Sequence, residues 1–144
     1  MNRELYHIQQ KNSWSCLAAC AAMLTGTKMA DFEEWCGHDG SEHDPTSSHP
    51  EKRRGFFFHE FAGYLAKHKM HCGLCWSSEV GKWDDCFHEG NLSLLSVASR
   101  TLPPPNQHVV IWTGEVVLDP REDKPTRLDE YDIKEWWPII DWRG

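Results

Sequence analysis

Apolar and polar positions change rhythm along the chain, from helical spacing in the first half to strand-like runs in the second. Leu17 to Leu24 is apolar at every position, which predicts a short helix over 15–25, buried on all sides and stopped by Gly26. Met29, Phe32 and Trp35 recur at helical spacing and predict an amphipathic helix over 27–35. Phe57, Phe61, Tyr64 and Leu65 mark one face of a third helix over 56–69. Residues 36–55 are rich in Gly, Pro, Ser, His and charge and predict a long loop, of the kind compact domains keep for function or motion. Strands are expected at 4–8, 71–77, 92–99, 108–113, 116–119 and 136–141. The segment 79–91 has no clear pattern, and the prolines at 103–105 deliver the chain stiffly to His108. Helices early and antiparallel strands late predict one α+β domain over 1–144.

Charge and composition narrow the function classes. A net charge of −7 leaves no basic footprint for nucleic acid, and Lys52-Arg53-Arg54 is too short to supply one. No apolar run is long enough to span a membrane and residues 1–10 carry no signal-peptide pattern, so the expected setting is cytoplasmic without a membrane partner. In that setting the six cysteines are expected as reduced thiols or metal ligands, not disulfides. Most of the eight tryptophans are expected in the core.

Chemistry concentrates where the loop Gln10 to Ser15 meets the apolar helix, with Cys16 at the junction. A helix N-terminus carries partial positive charge and unpaired N–H groups, and both stabilise a thiolate. Ser13 and Ser15 are N-cap types just upstream. Gln10 brings an amide able to donate to a developing oxyanion, and Gln9 would replace it if the loop differed by one residue. In the second half, Gly114-Glu115 suits a type II′ two-residue turn. That turn pairs Thr113 with Val116, Trp112 with Val117, Ile111 with Leu118 and Val110 with Asp119. Asp119 is then a diagonal, same-face neighbour of His108 at about 7–8 Å between Cα atoms, close enough for a carboxylate to reach an imidazole. A three-residue turn would send it to the other face.

Gln-x5-Cys with the cysteine opening a helix, then His followed by apolar residues and Asp-Pro, resembles the papain-like cysteine peptidases. Within them the chain is most similar to the peptidase domains that process bacteriocin leaders and to small phage and bacterial proteins related to those domains. The resemblance spans roughly residues 8 to 120 and implies a papain-like fold, with the helix of the nucleophile packed on a C-terminal antiparallel sheet. It also implies hydrolysis of a peptide or isopeptide bond, in a peptide or protein substrate, with no cofactor. Cys16 would be the nucleophile, His108 the base, Asp119 its orienting group and Gln10 an oxyanion donor. Amidases, transglutaminase-like acyltransferases and deubiquitinating enzymes use the same constellation. His108 and Asp119 stand closer in sequence than in the transporter-linked domains, and Leu17 replaces a common Gly. No attached transporter is expected, and these departures count against a transporter leader as substrate.

Two readings from other classes stand beside this one. A chain that keeps the fold without the chemistry would be a binding or effector protein that holds a host factor. A zinc-stabilised interaction domain would use Cys72, Cys75, Cys86 and His88, with Cys36 and His38 as a further pair. Against zinc, there is a single Cys-x2-Cys knuckle, and its two cysteines fall in a predicted strand, where they would face opposite sides. Cys20 is expected as a core residue, and His43, His49, Glu33-Glu34 and Asp84-Asp85 as solvated groups.

Overall fold

A computed structural model describes residues 5–48, 50, 52–73, 76, 77, 92–99 and 107–143. Three helices come first: α1 (Cys16–Thr25), α2 (Met29–Cys36) and α3 (Phe58–Lys67). The strands follow: β1 (Met70–Cys72), β2 (Trp76–Ser77), β3 (Ser93–Ala98), β4 (Gln107–Trp112), β5 (Val117–Leu118) and β6 (Ile133–Asp141). They form one antiparallel sheet in the order β1-β6-β3-β4-β5, and β2 continues along the same edge of β6 as β1. The α+β class is as expected. No described helix is long and apolar enough to cross a membrane.

Alternation along the strands explains why β3 and β4 read as nearly unbroken apolar runs: both faces of the sheet are covered. Leu94, Ile111, Leu118 and Ile139 face the helices, in one core with Leu17, Cys20, Leu24, Phe32, Phe61, Tyr64 and Leu65. Leu95, Val97, Val110, Trp112, Val117 and Trp136 form a second core on the opposite face, edged by Leu128, Tyr131 and Ile133. Leu17 through Thr25 are all buried, as an all-apolar helix requires. Gly26 ends α1 in the left-handed region at φ 73°, its N–H bonded to Ala22 O. The phenol of Tyr64 is buried and accommodated by a hydroxyl chain, Thr25 Oγ1 to Thr27 Oγ1 (2.8 Å) and Thr27 Oγ1 to Tyr64 Oη (2.7 Å).

Some boundaries differ from the sequence expectation. Residues 5–8 are not a strand, and this lead is tied down instead by the bond from Gln10 N to Pro120 O (2.8 Å). Helix α3 is shorter than 56–69, because the Glu60 carboxylate caps the Phe57 N–H (2.9 Å) and so fixes the helix start. Strand β6 begins at Ile133 and runs through Pro138, a residue that usually breaks central strands. Within a strand a residue's N and O point to the same side. Pro138 O accepts from Gly73 N (2.6 Å), so the missing N–H faces the gap between β1 and β2 and costs no ladder bond.

The 36–55 loop is a folded arm. Asp44 N bonds Lys52 O, Arg54 N bonds Glu42 O and Gly55 N bonds Gly40 O, at 3.0, 2.7 and 3.0 Å. Its base seats on Trp14, whose indole N–H donates to Asp39 O (3.0 Å). Gly40 has φ +77°, and a Cβ there would lie 2.9 Å from Trp14 Cδ1 and 3.0 Å from Gly55 Cα. Gly40→Ala should therefore cost about 1–2 kcal/mol in backbone strain and a further ~1–3 kcal/mol from overpacking. A lowered urea midpoint at unchanged m-value would show it.

Candidate active site

Three separate elements supply the site. Helix α1 opens at Cys16, β4 carries His108 as its second residue, and Asp119 follows β5 directly. The hairpin holds the expected register, with Trp112 opposite Val117 and Ile111 opposite Leu118. Gly114 takes φ +100° at the turn, and Thr113 Oγ1 accepts from Glu115 N and Val116 N (3.3 and 3.1 Å). From that register Asp119 Oδ1 reaches His108 Nε2 at 2.7 Å, with both side chains 4% exposed. A carboxylate accepts, so Nε2 carries the proton and the neutral ring keeps its lone pair on Nδ1.

Nδ1 is buried and has no hydrogen-bond partner of ordinary geometry, sulfur included. The ring and the Cys16 thiol shift each other's protonation. Burial by itself would raise that thiol above its ordinary value. The hydrogen bond and charge of His108, a backbone hydrogen bond at Val109 and the charge of Arg121 outweigh burial and bring it below 9.0. Burial would likewise lower His108, but its bonds to Asp119 and Cys16 raise it above 6.5. Burial of Asp119 is overcome by His108, the Arg121 N–H and the Tyr131 hydroxyl, which hold the carboxyl at about 2. The three shifts describe one coupled system: a thiol poised to lose a proton, an imidazole poised to take it, and a fixed anion behind.

Cys36, His38 and Glu60 are again a thiol, an imidazole and a carboxylate, in a different order. His38 Nε2 bonds Glu60 Oε2 (2.6 Å). Here the thiol faces the carboxylate, not the imidazole, and burial with the Glu60 charge pushes it up to about 12. Cys20 is buried and pushed well above 9.0, first by burial and then by the charges of Cys16 and Asp119. Burial pushes Cys72, in β1, to about 11. Of the described thiols, only Cys16 is shifted toward reactivity.

Gln10 lies in the loop before α1 with its amide Nε2 on Asn12 O (2.7 Å) and a buried Oε1 that has no partner. Gln9 is exposed. Ser15 occupies the N-cap position of α1 without a side-chain cap. Its Oγ turns back to accept from Lys11 N and Asn12 N (3.1 and 3.2 Å), bracing the loop that presents Cys16. Asp44 and Asp39 act similarly within the arm. Glu33 is only 12% exposed at its side chain and pairs with Lys11, so it is not the solvated group expected. His43 is exposed, as expected.

Among the described residues no group of three or more His, Cys, Asp or Glu is arranged to hold a metal ion. Cys75, Cys86, His88, His49 and Asp84-Asp85 lie outside the described residues. Sequence reasoning missed three partners of Asp119. Tyr131 Oη donates to Oδ2 (2.7 Å), Arg121 N donates to Oδ1 (2.9 Å), and His7 Nε2 donates to the main-chain O (2.7 Å). Arg121, two residues after Asp119, was open to a local turn argument. Nothing local points to Tyr131 or His7. A pocket of about 150 Å³ opens beside the His108–Asp119 pair, lined by Val97, Ala98, Arg121, Glu122 and Tyr131.

No family model matches the chain, and no curated protein matches it.

Proposed function

We propose that the chain is a thiol-dependent hydrolase of papain-like arrangement that cleaves a peptide or isopeptide bond in a peptide or protein substrate. The observation that supports this best is the order thiol, imidazole, carboxylate at Cys16, His108 and Asp119, in which Asp119 holds Nε2 of the base, Nδ1 is left unpaired, and His108 lowers the thiol. His108 takes the Cys16 proton at Nδ1 and leaves a thiolate beside an imidazolium. The thiolate attacks the carbonyl carbon, and the oxygen becomes an oxyanion. The Cys16 main-chain N–H at the start of α1, and the Gln10 amide hydrogen not used by Asn12, are its donors. Collapse of the adduct breaks the C–N bond, and His108 Nδ1–H protonates the leaving amine. Water then attacks the thioester while His108 accepts its proton, releasing the acid and the thiol. Asp119 keeps Nε2 protonated and stabilises the imidazolium throughout. A reducing compartment such as the cytoplasm suits this chemistry, and Cys16, Cys20, Cys36 and Cys72 are all free thiols.

Iodoacetamide labelling, read by peptide mass spectrometry across pH, tests the proposal. Cys16 should be alkylated at pH 6 while Cys20, Cys36 and Cys72 stay unlabelled. Labelling of Cys16 only above about pH 8, as for an unperturbed thiol, would sink it.

A further inference from the structure

The mechanism leaves unexplained how the acid stays aimed. Asp119 follows a strand of only two residues and precedes a proline, a position where a carboxylate has rotational freedom. Its two oxygens are nonetheless assigned to different tasks. Oδ1 takes His108 Nε2 and Arg121 N, while Oδ2 takes the Tyr131 phenol. The phenol is fixed in turn. Its proton goes to the carboxylate, which can only accept, so the 2.7 Å contact with Thr126 Oγ1 has threonine as donor. Thr126 is itself anchored by a two-way backbone bridge to Val117, next to the last residue of β5, with both N···O distances 2.9 Å. The tyrosine ring packs on the second core. The segment after Asp119 thus doubles back and fastens the carboxylate to the strand it has just left.

We infer that Tyr131 is a positioning residue of the site, which clamps Oδ2 so that Oδ1 stays on His108. It touches no reacting atom and acts through Asp119, and the inference rests on the function proposed above. Without the clamp, Oδ2 faces the pocket of about 150 Å³ that Tyr131 also lines, and the carboxylate can rotate toward water there.

Removing the hydroxyl has two opposite consequences. Loss of a donor makes Asp119 a stronger acceptor, which on its own would favour the imidazolium. Loss of the clamp lets the Nε2–Oδ1 bond open, which disfavours it. The inference requires the second to prevail.

The test is the pH profile of Cys16 alkylation by iodoacetamide in wild type, Tyr131→Phe and Thr126→Val, with melting temperatures alongside. The profile has a lower inflection, where the thiolate–imidazolium pair forms, and an upper one, where His108 loses its proton. In Tyr131→Phe the lower should move up and the upper down, by about half a pH unit each, with labelling at the wild-type lower inflection reduced about twofold. Thr126→Val should move both the same way by less. Inflections unchanged in Tyr131→Phe, whatever the melting temperature, would make the tyrosine merely structural. Movement in the opposite sense would make it an electrostatic tuner. Either result overturns the inference. Should Tyr131→Phe not fold, Thr126→Val decides by the same signs. Failure of the function itself shows separately, as a wild-type profile with no lower inflection.

Discussion

Replacing His108 with alanine should cut alkylation of Cys16 at pH 6 by about 100-fold, because an ordinary thiol is well under one per cent ionised there. Two influences change together. The hydrogen bond and charge that lower the thiol are lost, while burial, which alone would raise it, remains. The residual effects of Val109 and Arg121 are the lesser ones and should leave a thiol that reacts only in alkali. The wild type should be reactive from the lowered Cys16 value upward, and reactivity should step again where His108, raised above 6.5, loses its proton. Turnover needs the imidazolium as acid, so its profile should fall where alkylation steps up. A single ionisation in wild type, superimposable on the mutant, is the result that would end the proposal.

The second large effect belongs to Asp119, where alanine and asparagine should separate. Asp119→Ala leaves His108 Nε2 buried without a partner and should reduce alkylation at pH 6 by roughly 10–100-fold, by unfixing the tautomer. Asp119→Asn can keep the geometry, with its carbonyl toward His108 and Arg121 N. Its NH2 then meets Tyr131 Oη, which can reverse its own proton toward Thr126. What asparagine lacks is the charge, so its upper inflection should fall while its lower one rises, with a loss of about tenfold. Stability adds an independent reading. The Asp119 carboxyl is held at about 2 against an ordinary 3.8. A depressed folded-state pKa contributes stability that is present above the unfolded value and lost as pH falls through the folded one. Wild type should thus lose on the order of 2 kcal/mol between about pH 4 and 2 from this group. Urea titrations should show that slope absent in Asp119→Asn.

What could be read from the sequence was what local rules govern. The hairpin, its glycine turn and the diagonal from His108 to Asp119 follow from a period of two and a turn type. Helix α1 followed from an apolar run that admits no solvent face. The rest depends on contacts between distant segments. Tyr131 and His7 meet Asp119 from opposite ends of the chain, and no periodicity encodes such a meeting. The lead before Gln10 carries strand-compatible residues, yet its backbone is committed to Pro120. Strand β6 continues through Pro138 because Gly73 happens to face the missing donor. The opposite shifts of Cys16 and Cys36 likewise depend on the neighbour each thiol meets, an imidazole for one and a carboxylate for the other.

Arg143 gives α1 a second anchorage. Its guanidinium donates to Thr25 O and Leu24 O (both 2.9 Å), the carbonyls at the end of the helix opposite Cys16, while Trp142 N bonds Lys69 O (2.9 Å). The helix is therefore fastened to the sheet half at both ends, by the Gln10–Pro120 bond in the loop before its start and by the end of β6 at its finish. Such a helix has no low-energy route to slide or hinge while the sheet stays intact. Heat should then abolish the proposed labelling of Cys16 at pH 6 and the tertiary signal in one transition. Loss of that labelling would serve as a direct assay of unfolding.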